Sequence, residues 1–164
     1  MKNKNKFILD ACCSARLMWV DKHHPNTIYI DIRQEEKGFL ESRPTREIKP
    51  DMVMDFRDLK FKDKSFKLIV WDPPHLLGKN YKSRLTKNYG FLLADSFESD
   101  FKKGFKELWR CLEDYGTLIF KFNDYHIPFK RVLALFPVAP LFANTISKNP
   151  NSKTKWFCFM KIPK

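Results

Sequence analysis

Four short apolar runs in this chain each end in aspartate. Phe7-Ile8-Leu9 runs into Asp10, Thr27-Ile28-Tyr29-Ile30 into Asp31, Met52-Val53-Met54 into Asp55, and Phe66 to Trp71 into Asp72. A fifth run, Thr117 to Phe122, ends in Asn123 and Asp124. Apolar runs of this length bounded by turn residues read as strands. With helical segments between them, they predict an α/β chain built on a mostly parallel sheet. Ligands of open parallel sheets bind beyond the carboxyl ends of the strands. The aspartates therefore fall where a ligand would sit, and carboxylates there accept hydrogen bonds from hydroxyls and amines.

One helix is clear. After Ser96, a candidate N-cap, Phe97, Phe101, Phe105, Leu108 and Leu112 fall on one stripe at helical spacing. Lys102, Lys103, Lys106 and Arg110 take the wet side, and Gly116 lies just past the end. The aromatic stripe reads as core, and 16 phenylalanines supply ample apolar area for it. A second helix is predicted over 129–136, after Pro128. The tail carries two more strands, Leu141 to Ile146 and Trp156 to Ile162, joined by a polar loop with Pro150. Two neighbouring strands with a short connection predict an antiparallel pair at a sheet edge. With 164 residues, one domain is expected. No apolar run approaches the roughly 20 residues that span a bilayer, and the apolar stretch near the N-terminus is too short for a signal peptide. These features predict a soluble, cytoplasmic protein with no membrane partner.

Asp72-Pro73-Pro74-His75 carries the chemistry. An exocyclic amino group on adenine or cytosine is a poor nucleophile because its lone pair is delocalised into the ring. Two acceptors on its two N–H bonds favour a pyramidal nitrogen with a free lone pair. Asp72 can supply one acceptor and the Pro73 carbonyl the other, held by the fixed φ angles of Pro73 and Pro74. The ring of His75 can stack on an extruded base. Such an arrangement stabilises a transition state with fixed dipoles more than it abstracts a proton. Alone, the same four residues also make good turn chemistry.

The ordered set Asp10-Ala11-Cys12-Cys13-Ser14-Ala15-Arg16, Asp31, Asp55-Phe56 and Asp72-Pro73-Pro74-His75 resembles class I amino-methyltransferases. The closest resemblance is to short bacterial and phage members labelled DNA adenine methyltransferases. It extends to the ending Lys155 to Lys161. It implies a Rossmann-like seven-stranded sheet, mostly parallel with an antiparallel last strand. It also implies S-adenosylmethionine as methyl donor and S-adenosylhomocysteine as product. Carried over residue by residue, Asp10 and the backbone from Ala11 through Cys12 and Cys13 to Ser14 match the loop that wraps the methionine end of the cofactor. Asp31, 21 residues after Asp10, matches the ribose-binding acid, and Asp55 and Phe56 match the pair that binds the adenine ring. The family's first loop is usually Asp-x-x-x-Gly-x-Gly. Here Ser14 and Arg16 stand at the glycine positions, without glycine's freedom to take positive φ.

A basic, aromatic stretch follows the catalytic motif: Lys79, Tyr81, Lys82, Arg84, Lys87 and Tyr89. Cations neutralise phosphates and aromatic faces stack on unpaired bases, so this stretch is a candidate nucleic-acid contact. Trp156, between Lys153 and Lys155, is a weaker one, open also to a core role. The net charge of +12 fits a polyanionic partner. His23 and His24, placed near the end of a short helix, and the four cysteines match no metal spacing. The sequence thus predicts methyl transfer to a base amino nitrogen of DNA or RNA, adenine in DNA first. An RNA target, cytosine or guanine amines, and a non-catalytic nucleic-acid-binding relative stay open. With no target-recognition domain in the sequence, a homodimer or a specificity partner is also left open.

Overall fold

The runs ending in aspartate become neighbouring strands. The computed structural model describes residues 6–144 and 153–163. Strands β1 (Ile8–Asp10), β2 (Thr27–Asp31), β3 (Met52–Val53) and β4 (Phe66–Trp71) precede two helices, α1 (Arg84–Tyr89) and α2 (Phe97–Cys111). Then come β5 (Leu112–Asn123), α3 (Phe129–Leu133), β6 (Phe142–Ala143) and β7 (Thr154–Met160). The seven strands form one sheet in the order β3-β2-β1-β4-β5-β7-β6. Every pairing from β3 to β5 is parallel, and β7 runs antiparallel to both β5 and β6. The order turns back between β1 and β4, which is the switch point where such sheets open a crevice.

Register builds the core. Leu9 pairs with Ile69, Ile69 with Leu118 and Leu118 with Phe159, a row of fully buried side chains on one face of the sheet. Trp71, Phe120 and Phe157 form the next row on the same face. Onto these rows α2 lays Phe97, Phe101, Phe105 and Leu108, all buried, while Lys102, Lys103 and Lys106 stay exposed. Phe101 sits 5.4 Å from Trp71 and 5.6 Å from Phe122 between ring centroids, and Phe105 stacks on Phe136 at 4.4 Å. Burying each such ring contributes about 1.5–3 kcal/mol, so this aromatic face dominates the packing.

Several expected boundaries differ. The connections 11–26, 32–51 and 54–65 are built from turns and contain no helix, so the chain does not alternate strand and helix throughout. Pro25, Pro44 and Pro50 interrupt two of these segments, and Leu17 and Val20 point to solvent instead of forming a stripe. His23 and His24 accordingly lie in a turn region, not at a helix end. Helix α2 has no glycine stop. Leu112 switches to extended backbone (φ −76, ψ 134) and opens β5 directly, which places Gly116 inside the strand. Ser96 does not cap α2; its hydroxyl donates to Asp100 Oδ2 at 2.8 Å. Helix α3 ends at Leu133, short of Phe136. At the end of the chain, β7 runs from Thr154 to Met160 and β6 covers only Phe142 and Ala143. Ile146 and most of the predicted polar loop lie outside the described residues. Among the described residues no helix is long and apolar enough to cross a membrane.

Candidate active site

Parallel register brings the ends of β1, β2 and β4 to one edge of the sheet, and a cavity of about 320 Å³ opens there. That volume lies within the range of small-molecule sites. Asp72, Pro73, Pro74 and His75 line it, as do Ala11, Cys12, Cys13, Ser14, Asp31, Asp55 and Phe56. Tyr81 and Tyr89 reach its rim. Asp10, Lys79, Lys82, Arg84, Lys87 and Trp156 are not among its lining residues.

Trp71 is fully buried, so Asp72 is the first residue of β4's continuation to meet the cavity. Lys121 Nζ donates to Asp72 Oδ2 at 2.5 Å from the neighbouring strand. Burial lifts the Asp72 carboxyl above its ordinary range, and the Lys121 cation pulls it back. His75 lies 6.3 Å from Tyr89 and 6.4 Å from Phe122 between ring centroids. Burial, then the charges of Lys121 and His126, hold its imidazole below the usual histidine range. It therefore presents a neutral ring at physiological pH. Gly90 closes α1 with φ +76, and a Cβ there would come within 3.0 Å of Pro74 Cγ. The predicted basic loop thus contains a short helix, started by Ser83, whose hydroxyl accepts from Thr86 N–H, and seated on Pro74.

The first loop solves its glycine problem by contacts. Ser14 (φ +44) and Arg16 (φ +53) both hold left-handed backbone, the conformation for which glycine is usually used. Each costs roughly 1–2 kcal/mol. Arg16 offsets this with its side chain: it donates to the carbonyls of Lys22 and Lys49 at 2.8 Å each and to Asp51 Oδ1 at 3.0 Å. Its guanidinium also stands 3.8 Å over the Tyr29 ring. Ser14 N–H donates to Asp31 Oδ2 at 2.9 Å. Asp10 lies beneath the loop, wholly buried, accepting from Cys12 N–H and from Trp19 Nε1 at 2.7 Å. Burial pushes its pKa up to about 7 despite those two donors. Cys12 and Cys13 are free thiols raised by burial, which makes them poor nucleophiles.

The N–H groups of residues 11 to 14 are all spent inside the protein, on Val70 O, Asp10, Ile30 O and Asp31. No helix follows this loop. Phosphate-binding loops instead aim free amides and a helix N-terminus at their ligand. The carboxylates of Asp31, Asp55, Asp72 and Asp100 line the cavity, paired with Arg33, Arg57 and Lys121, and form an acceptor set suited to a ligand with hydroxyls and an amine. S-Adenosylmethionine fits that description. Ala11 to Ser14 would hold its methionine end, Asp31 its ribose, and Asp55 with Phe56 its adenine.

Sequence reasoning missed three residues that shape this site: Arg57, Arg33 and Lys121. Arg57 clamps Asp55 through Nε (2.9 Å) and Nη2 (2.5 Å) and reaches Asp100 at 2.9 Å. Arg33 braces Asp31. Lys121 was detectable as a lone cation between Phe120 and Phe122 in an apolar strand. Trp156, 37% exposed, is not core: it lies opposite Lys121 across the β5–β7 ladder, with Nζ 5.5 Å from its ring centroid. Among the described residues, no group of three or more His, Cys, Asp or Glu side chains could hold a metal.

No protein-family model matches the sequence, and no curated protein matches it. Solved structures do. The N-methyltransferase NodS from Bradyrhizobium japonicum WM9 superposes with a TM-score of 0.59 at 12% identity, over 95% of this chain and 85% of that one. A TehB-like S-adenosylmethionine-dependent methyltransferase from Corynebacterium glutamicum gives 0.56 at 17%, covering 94% and 79%. An rRNA methylase from Streptococcus thermophilus gives 0.52 at 10%, covering 95% and 87%. The chain has the Rossmann-like fold of class I methyltransferases.

Proposed function

We propose that this chain is an S-adenosylmethionine-dependent methyltransferase acting on an exocyclic amino nitrogen of a nucleic-acid base, adenine N6 in DNA before RNA. The observation that carries the reading is the pair Asp72–Lys121 beside Pro73, at the mouth of a cavity ringed by Asp31, Asp55 and the first loop.

When bound, the cofactor supplies an electrophilic methyl group on a sulfonium. The chain's own residues prepare the amine. Lys121 favours the ionised form of Asp72, whose carboxylate accepts one N–H. The Pro73 carbonyl accepts the other, so the nitrogen lone pair is free to attack in line. The proton shed after transfer goes toward the Asp72 carboxylate. Neutral His75 offers a ring face to the base without repelling it. A non-catalytic relative would draw its support from the missing glycines, yet Ser14 and Arg16 hold the backbone those glycines serve.

The test is transfer of radiolabelled methyl groups to DNA and RNA, followed by mass spectrometry of the nucleosides. Asp72→Ala is expected to lower the rate roughly a hundredfold or more, as loss of a transition-state hydrogen-bond partner does. Full activity in that variant rejects the assignment.

A further inference from the structure

A second cavity, about 700 Å³, opens beside the first, and Ser14 and Leu17 border both. Its walls come from residues 14–23 and 43–51 and carry Arg16, Lys22, Arg43, Arg46 and Lys49 against Glu47 and Asp51. Lys6 and Arg16 already pair with Asp51. Lys22, Arg43, Arg46 and Lys49 form no ion pair with a carboxylate among the described residues; Lys102, Lys103 and Lys106 on α2 are unpaired too, but only the first four are gathered in a cleft that borders the candidate active site.

This cleft is joined to the catalytic loop through α1. Arg46 donates to Asn88 Oδ1, and Arg33 Nη1 to the Lys87 carbonyl at 3.1 Å. At that same C-terminal end, α1 rests on Pro74 through Gly90. Arg84 and Lys87 on α1 are exposed and also lack a carboxylate partner among the described residues. The cations thus run from Lys22 past Arg43 and Arg46 to Lys87 and end beside Pro74. Arg16 is the brace of this cleft, tying the backbone of Lys22 and Lys49 together from below.

We infer that this cleft is the track for the phosphodiester backbone of the substrate, leading along α1 to the catalytic loop; this rests on the nucleic-acid reading above. A row of unneutralised cations complements a row of phosphates, and release of counterions drives such contacts. The track adds residues 22 to 49 to the substrate side of a molecule whose sequence placed substrate binding only after β4.

The test measures anisotropy of a short labelled single-stranded oligonucleotide, bound to the full chain across a salt titration. Lys22→Gln, Arg43→Gln and Lys49→Gln combined are expected to lower the salt slope by about 2 and the affinity on the order of a hundredfold at about 0.1 M salt. The control removes the same charge from α2, with Lys102→Gln, Lys103→Gln and Lys106→Gln, and is expected to change the slope by far less. Unchanged S-adenosylmethionine binding by calorimetry shows the cleft variant is folded. Equal losses in both triple variants, or no loss in the cleft variant, overturn the track while leaving the methyltransferase reading intact. Stoichiometric binding of inorganic phosphate in the cleft, or binding to anionic vesicles in preference to the oligonucleotide, also overturns it.

Discussion

Lys121 and Asp72 meet across the β4–β5 seam with Nζ 2.5 Å from Oδ2. The contact leaves Oδ1 free of protein partners among the described residues, so one carboxylate oxygen is anchored and the other is available. The cation favours the ionised form of the group proposed to orient the amine, against the burial that raises it.

Lys121→Met is therefore expected to move the acidic limb of the kcat/KM profile to higher pH. Asp72 works as the carboxylate. Burial already raises its pKa, and losing the cation raises it further. Activity at neutral pH falls and returns as pH rises through the new value. Lys121→Arg is expected to keep the limb near its original position. A limb that does not move in Lys121→Met removes this role.

Stability should carry a pH signature of its own. Asp10 is pushed up to about 7 by burial, so the folded state holds its proton more tightly than the unfolded chain does. The stability it contributes is full below the ordinary aspartate range and is lost as pH rises through about 7. Trp19→Phe removes the donor that lowers this pKa most. The gap between wild type and variant in urea melts should widen as pH rises through 7. A gap independent of pH contradicts the account.

Gly104 tests how Phe56 is placed. A Cβ there would lie 2.5 Å from Phe56 Cδ2 and Cε2. Alanine gains about 1 kcal/mol of helix propensity, while overpacking costs about 1–3 kcal/mol. Gly104→Ala should leave the melting temperature little changed and weaken S-adenosylmethionine binding severalfold, because the ring it displaces lines the cavity. Unaltered calorimetric affinity would show that Phe56 does not contact the cofactor.

Ser14→Gly relieves a left-handed serine at the entropic cost of a glycine, about 0.5–1 kcal/mol. Stability should stay within about 1 kcal/mol of wild type. Ser14→Val forces a β-branched residue into the same backbone and should lower stability clearly more. Equal melts for the two variants would mean that the loop does not hold this conformation in solution.

The parts legible in the sequence were those written in periodicity and motif. The strand ends at Asp10, Asp31 and Asp72, the stripe on α2 and the edge hairpin all follow from local pattern, and the structure reproduces them. The helices expected between the early strands were not there, because proline and outward-facing Leu17 and Val20 leave those segments no apolar stripe to bury. The partners of each aspartate were not legible. Arg57 follows Asp55 by two residues and could have been suspected. Lys121 reaches Asp72 only because β5 lies beside β4, and Arg16 reaches Lys49 only because β2 and β3 are adjacent. Those pairings depend on sheet order, which no single strand encodes.

The brace on Arg16 changes what the surface around it can tolerate. Turns such as those near Lys22 and Lys49 ordinarily accept inserted or deleted residues with little effect. Here each lends a carbonyl to the same guanidinium, so a change of length in either would pull on the loop beside Asp31. A homologue with glycine at 14 and 16 would be free of that constraint. In this chain, the length of two exposed turns is tied to the backbone angle of Arg16, in the loop beside the candidate active site.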